Sequence, residues 1–232
     1  MSGSAPSGRR YVQALALGLD PEWRRAPDYC RAEEAIAFAR AVREAPDVTT
    51  FTYSMVGLQA GTDLLLWRLA GSLDRLEEAA AAALGAGVGR WMRVRESLLG
   101  IVQGSQYVKK PTPQEQSMFA GERSRYLVVY PFTKSAEWYL LGREARQGIM
   151  NEHMRIGHDY PQVRQLLANS FGVDDQDFLV AYETDDLEAF SNLVRDLRAT
   201  ESRRWTVSDR PILVGVHRPL EEALRLLGAP LP

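Results

Sequence analysis

Two stretches decide the fold: "GLQAGTDLLLWRLAGSLDRLEE", beginning at Gly57, and "GVDDQDFLVAYETDDLEAFSN", beginning at Gly172. They align with one gap, so that Asp63 meets Asp177 and Leu73 meets Leu187. In each, an apolar run of strand length follows the aspartate and a helix opens behind it. The offset of about 115 residues is too long for a stacked repeat and suits a duplicated domain.

The flanking segments extend the repeat. "RRYVQALALGL" (9–19) reads as a buried strand, and "RAEEAIAFARAVREA" (31–45) as a helix with Ala35, Ile36, Phe38, Ala39 and Val42 on one side. "VTTFTYSMVGL" alternates as a strand, and "TDLLLWRLAG" follows as another. "SLDRLEEAAAAALGA" runs as a helix from a serine cap to a glycine, and "RVRESLLGIVQG" returns as a strand. A polar stretch, "SQYVKKPTPQEQSMFAGERS" (105–124), connects the halves. The order then recurs. "RYLVVYPF" (125–132) is a strand, "SAEWYLLGREARQGIMNEHMRIG" (135–157) a long helical stretch, and "YPQVRQLLANSFG" (160–172) a further helix ending at a glycine. "QDFLVAYETD" is a strand, "LEAFSNLVRDLRATES" a helix and "RPILVGV" the last strand.

Each half therefore reads β-α-β-β-α-β, the ferredoxin-like order. An antiparallel sheet with helices on one face needs cover on the other. The expected fold is α+β: duplicated ferredoxin-like domains forming a dimeric α+β barrel of antiparallel sheets with outer helices. The expected division is an N-terminal half at 1–110, a linker at 111–124 and a C-terminal half at 125–232.

Bulk properties narrow the function. Hydrophobic content of 45%, charged content of 25% and a net charge of −2 suit a soluble globular protein and argue against a nucleic-acid or anionic-membrane surface. The single cysteine, Cys30, excludes an internal disulfide framework and a multi-cysteine zinc site. The polar start "MSGSAPSGRR" lacks the apolar core of a signal peptide, and no window offers 18 consecutive apolar residues, so the expected setting is cytoplasmic.

Two of the three histidines lie in "NEHMRIGHDYPQVRQ" (151–165). On a helix His153 shares its face with Ile149, Met150 and Ile156, pointing inward. Such a histidine is more often a core residue, but a neutral imidazole there can also ligate iron. His153 and His158 are not spaced i,i+4 and there is no His-Glu-x-x-His, so a non-haem metal lacks ligands, whereas a haem needs one. His217, after the last strand, reads as a surface residue. In "VVYPFTKSAEWY" (128–139), Tyr130 ends a strand before Pro131, with Lys134, Trp138 and Tyr139 following. These are either packing residues or a redox-active phenol in a cationic site that binds a carboxylate. No nucleophile elbow, phosphate loop or dinucleotide fingerprint appears, and the acidic "VDDQD" (173–177) reads as a turn.

"YPFTKSAEWY", "EHMRIGHDYPQVRQLLANSFGVDDQDF" and "YETDDLEAFSNLVRDLRATES" together resemble the chlorite dismutase-like haem protein family, most strongly across 125–215. The family contains chlorite dismutases and coproheme decarboxylases. The resemblance implies the duplicated barrel, a homopentamer, and haem in the C-terminal half. It implies that His153 is the proximal iron ligand. It puts Gln165 at the distal position, where chlorite-degrading members carry arginine and many decarboxylases glutamine. Tyr130 and Lys134 match the decarboxylases' radical tyrosine and carboxylate-binding lysine. Trp138 matches the tryptophan near the haem, Tyr107 in "SQYV" a propionate contact, and Arg198 and Ser202 propionate-side positions.

The implied reaction is peroxide-dependent decarboxylation of Fe-coproporphyrin III to haem b, with hydrogen peroxide as co-substrate, a tetrapyrrole partner and no nucleic acid or membrane. The alternatives are a chlorite dismutase or haem b peroxidase, and a non-enzymatic haem-binding, transport or sensing protein.

Overall fold

The computed structural model describes residues 10–102 and 122–231, so Tyr107 and most of the segment 111–124 lie outside the described residues. The N-terminal half contains β1 (Arg10–Leu19), α1 (Asp28–Arg43), β2 (Val48–Gln59), β3 (Thr62–Ala70), α2 (Leu73–Gly85) and β4 (Met92–Val102). The C-terminal half contains β5 (Tyr126–Lys134), α3 (Ala136–Leu140), α4 (Arg143–His158), β6 (Arg164–Asn169) and β7 (Phe178–Thr184). It continues with α5 (Leu187–Arg198), β8 (Thr206–Ser208), β9 (Leu213–His217) and α6 (Leu220–Leu227).

The sheet order is β7-β6-β4-β1-β3-β2-β9-β5-β8, and β7 also pairs with β5, which closes the sheet on itself. Read within each half, the orders β4-β1-β3-β2 and β6-β7-β5-β9 are the same arrangement. The repeat seen in the sequence is a structural one. Asp63 accepts the Leu19 N–H at 2.8 Å, and its counterpart Asp177 accepts the Lys134 N–H at 2.7 Å, so each aspartate ties down the end of its half's first strand. Ser72 and Asp186 cap the equivalent helices α2 and α5 with their side-chain oxygens. Gly57 and Gly172 both turn with positive φ, 73° and 68°.

Alternation along the strands sorts side chains into two layers. The barrel interior holds Val12, Ala14, Tyr53 and Trp67 from the first half, packed against Leu127, Val129, Leu166, Leu179 and Leu213 from the second. Outside, α1 and α6 cover the N-terminal sheet around Phe38, Leu66 and Leu224, while α5 covers the C-terminal sheet around Val128, Val180 and Leu193. The two seams between the halves are tight. A Cβ on Gly100 of β4 would sit 2.7 Å from the Ala168 Cβ of β6, and one on Gly215 of β9 would sit 2.7 Å from the Tyr53 Cβ of β2.

One polar cluster lies within this apolar interior. Glu183 is fully buried; it accepts from Tyr53 Oη at 2.6 Å and from Arg164 Nη2 at 2.8 Å, with Arg123 Nη1 at 3.3 Å. Burial pushes the Glu183 carboxyl upward, while Tyr53 and the two guanidiniums pull it back.

Three local expectations need correction. The segment 160–172 is not a helix: Arg164–Asn169 is β6, paired along its length with β7 and touching β4. Its Leu, Gln, Arg and Ala residues favour helix, but that preference is weak, and the strand is required to join the two sheets. The long helical stretch 135–157 breaks at Leu141–Gly142, both extended, into α3 and α4. His217 is not a plain surface residue, because its ring packs 5.4 Å from that of Tyr53.

Candidate active site

The site forms where the outer face of β5, β7 and β6 meets α4 and the 3-10 turn at Glu201–Trp205. Cross-strand partners share a face, and here Val128 and Gln165 both oppose Tyr182, while Tyr130 and Leu167 both oppose Val180. Tyr130 and Gln165 thus project on the same side, away from the barrel core. Arg164, the neighbour of Gln165, projects into the barrel and is held by Glu183 and Ser124. Burial, and then the adjacent Tyr182 phenol, push Tyr130 well above the ordinary tyrosine range, so it is a neutral phenol.

Lys134 ends β5 and is buried. Its Nζ donates to Ser202 O at 3.0 Å and Ser202 Oγ at 3.1 Å, and lies 4.5 Å from the Trp138 ring centre. Trp138 is itself buried and packs 6.3 Å from Trp205. Burial first, and Arg203 second, lower the Lys134 pKa to about 8. Arg203 and Arg198 both reach Asp209 Oδ2, at 2.6 and 3.4 Å. Asp209 and Arg198 in turn act electrostatically on the Tyr130 hydroxyl.

His153 belongs to a half-covered stripe on α4 that also includes Arg146, Ile149 and Met150. This helix has no fully buried residue. Glu152 does not serve the imidazole; its carboxylate accepts from the Glu201 N–H at 3.3 Å, fastening α4 to the 3-10 turn. The His153 Nδ1 is buried and has no hydrogen-bond partner among the described residues. Burial, followed by the charge of Lys134, lowers its pKa to about 4, so the imidazole is neutral at neutral pH with a lone pair free for a metal. An orphaned neutral imidazole, flanking aromatic rings and three cationic side chains match what an iron porphyrin with acidic substituents requires: one axial nitrogen, ring contacts and carboxylate partners.

The geometry brings His153, Lys134, Trp138 and Ser202 into one cluster and Tyr130, Arg198 and Gln165 onto its flank. Lys134 and Ser202, separate in the sequence, form one hydrogen-bonded unit. His158 is exposed at the end of α4. The sequence reading missed Arg203, Asp209 and Tyr182. The last was findable, since it lies two residues beyond Val180 on the apolar face of a strand that pairs with the one bearing Tyr130.

The fold is an α+β barrel with a candidate site on the outer face of its C-terminal half. A chlorite dismutase variant from Candidatus Nitrospira defluvii superposes with a TM-score of 0.86 at 29% identity, covering 95% of each chain. The coproheme decarboxylase of Mycolicibacterium smegmatis is 29% identical over 197 residues, 84% of each chain. The chlorite dismutase of Ideonella dechloratans is 30% identical over 148 residues, 60% of this chain and 52% of that one. The chlorite dismutase family model matches residues 31–218, and the chain belongs to that family.

Proposed function

We propose that this protein is a coproheme decarboxylase that converts Fe-coproporphyrin III to haem b with hydrogen peroxide. The carrying observation is the grouping of an orphaned imidazole, His153, a buried lysine, Lys134, held on Ser202, two arginines sharing Asp209, and a half-buried phenol, Tyr130, at one end of the C-terminal half. The similarity to the mycobacterial decarboxylase supports the same reading.

The iron porphyrin, when bound, supplies the means of using peroxide as an oxidant. His153 holds the iron. Lys134, held on Ser202, and the two guanidiniums of Arg198 and Arg203, which share the one carboxylate of Asp209, would supply cationic charge to orient the propionates, while Trp138 would pack beside the ring. Tyr107 is assigned a further propionate contact. Tyr130 gives up an electron and its phenolic proton, and the resulting phenoxyl takes a hydrogen atom from the propionate chain. Each turn balances as propionate plus hydrogen peroxide plus a proton giving vinyl, carbon dioxide and two waters, and the turn occurs twice. Gln165 presents an uncharged amide on this face. The adjacent arginine is committed to Glu183 on the other side of the strand, which favours decarboxylation over chlorite chemistry. The assembly proposed is a homopentamer, to be checked by sedimentation.

The test is to add peroxide stepwise to the protein with Fe-coproporphyrin III and follow the porphyrin by mass spectrometry. Two successive losses of about 46 mass units each, ending at haem b, are expected. A bleached but undecarboxylated porphyrin would overturn the reading and make chlorite the next substrate to assay.

A further inference from the structure

Tyr182 has no part in the reaction as described above, yet it lies diagonally across from Tyr130, two residues beyond the Val180 that Tyr130 opposes. The two rings stack at 6.0 Å with planes 26° apart, which sets the two phenols side by side. Tyr182 is buried among Val128, Val180, Ala189 and Leu193, with Phe190 at 5.2 Å on its other side. Phenylalanine would fill that space equally well. Burying a hydroxyl costs about 1–3 kcal/mol unless it is hydrogen-bonded, and the phenol stacked beside it is the one proposed to carry the radical.

We propose that Tyr182 shares a hydrogen bond with Tyr130 and exchanges a hydrogen atom with it, so that the oxidising equivalent is held by a pair of phenols. This rests on the reading of Tyr130 as a radical site. Once peroxide has supplied the oxidant and Tyr130 has lost an electron and a proton, the Tyr182 O–H bond breaks as a new O–H bond forms on Tyr130. One neutral phenoxyl is replaced by another, and no charge appears in the apolar cluster. The reverse exchange returns the radical to Tyr130, which faces the cationic groups. Stacking and the shared hydrogen bond set the geometry for both directions. Tyr182 also fixes the phenol of Tyr130 in one orientation before any oxidant arrives.

The experiment places 3,5-difluorotyrosine at position 182 or, separately, at position 130 of the full chain. Each protein is loaded with Fe-coproporphyrin III, mixed with hydrogen peroxide and freeze-quenched for electron paramagnetic resonance. Fluorine hyperfine splitting from both positions is expected. Splitting from position 130 alone would overturn the proposal while leaving the Tyr130 mechanism intact. Splitting from neither would overturn both. In the ligand-free protein, Tyr182→Phe is expected to shift the tyrosine doublet in ultraviolet resonance Raman spectra beyond the loss of one residue's intensity, with the circular dichroism unchanged. A doublet that merely loses one tyrosine's contribution would show that the two hydroxyls do not interact, and would also overturn the proposal.

Discussion

At the scale of single residues, the site depends on two buried nitrogens whose charge state is set by their surroundings. Burial keeps His153 neutral, so replacing it should remove the axial ligand rather than a structural charge. His153→Ala is expected to abolish the histidine-ligated absorption and resonance Raman signature of the bound iron porphyrin, with added imidazole restoring it. An unchanged signature would move the ligand elsewhere. Lys134 has a pKa lowered to about 8, so it is charged below that pH and neutral above it. A carboxylate needs the ammonium form, so affinity for a carboxylated porphyrin should be full below about pH 8 and fall as pH rises through it, by up to about tenfold per unit. Binding titrations against pH check this, and Lys134→Met should remove the step. Tyr130→Phe is expected to spare porphyrin binding and stop vinyl formation, as mass spectrometry of the product would show.

At the scale of elements, β6 carries the main lesson. In the sequence its residues look helical, yet as a strand they divide cleanly, with Arg164, Leu166 and Ala168 inward and Gln165 and Leu167 outward. That division is what separates the amide on the site face from the buried guanidinium. Glu183 anchors it by joining β2, β6 and β7 through Tyr53 and Arg164. Glu183→Ala would remove the buried carboxylate that Tyr53, Arg164 and Arg123 share, and should cost about 3–5 kcal/mol in chemical denaturation. A loss within error would mean the network is not formed. The duplicated order, the capped helices and the strands bearing Tyr130 and Tyr182 were legible because they depend on local periodicity and capping. β6 was not, because its pairing with β7 and β4 is long-range. For the same reason the sequence showed Lys134 and Ser202 as candidates but not as partners, and did not point to Arg203 or Asp209, whose role arises only when the turn after α5 folds over the end of β5.

At the scale of the whole molecule, the two halves are one barrel rather than two packed units. Trp67 and Tyr53 from the first half share a core with Leu127, Val129 and Leu179 from the second. The halves also meet edge to edge at β4–β6 and β2–β9. The candidate site's described residues lie in the second half, but the sheet that presents them is curved and closed by strands of the first. Disturbing a seam should therefore be felt in both. Gly215→Val forces a side chain into the place held by the Tyr53 Cβ. It is expected to destabilise the protein by about 1–3 kcal/mol through overpacking. Hydrogen-exchange mass spectrometry should show protection falling together in β1 and β3 of the first half and in β5 and β7 of the second. Loss confined to β9 and β2 would mean that the halves unfold independently, and that the division at 111–124 marks a true domain boundary rather than a connection within a single cooperative barrel.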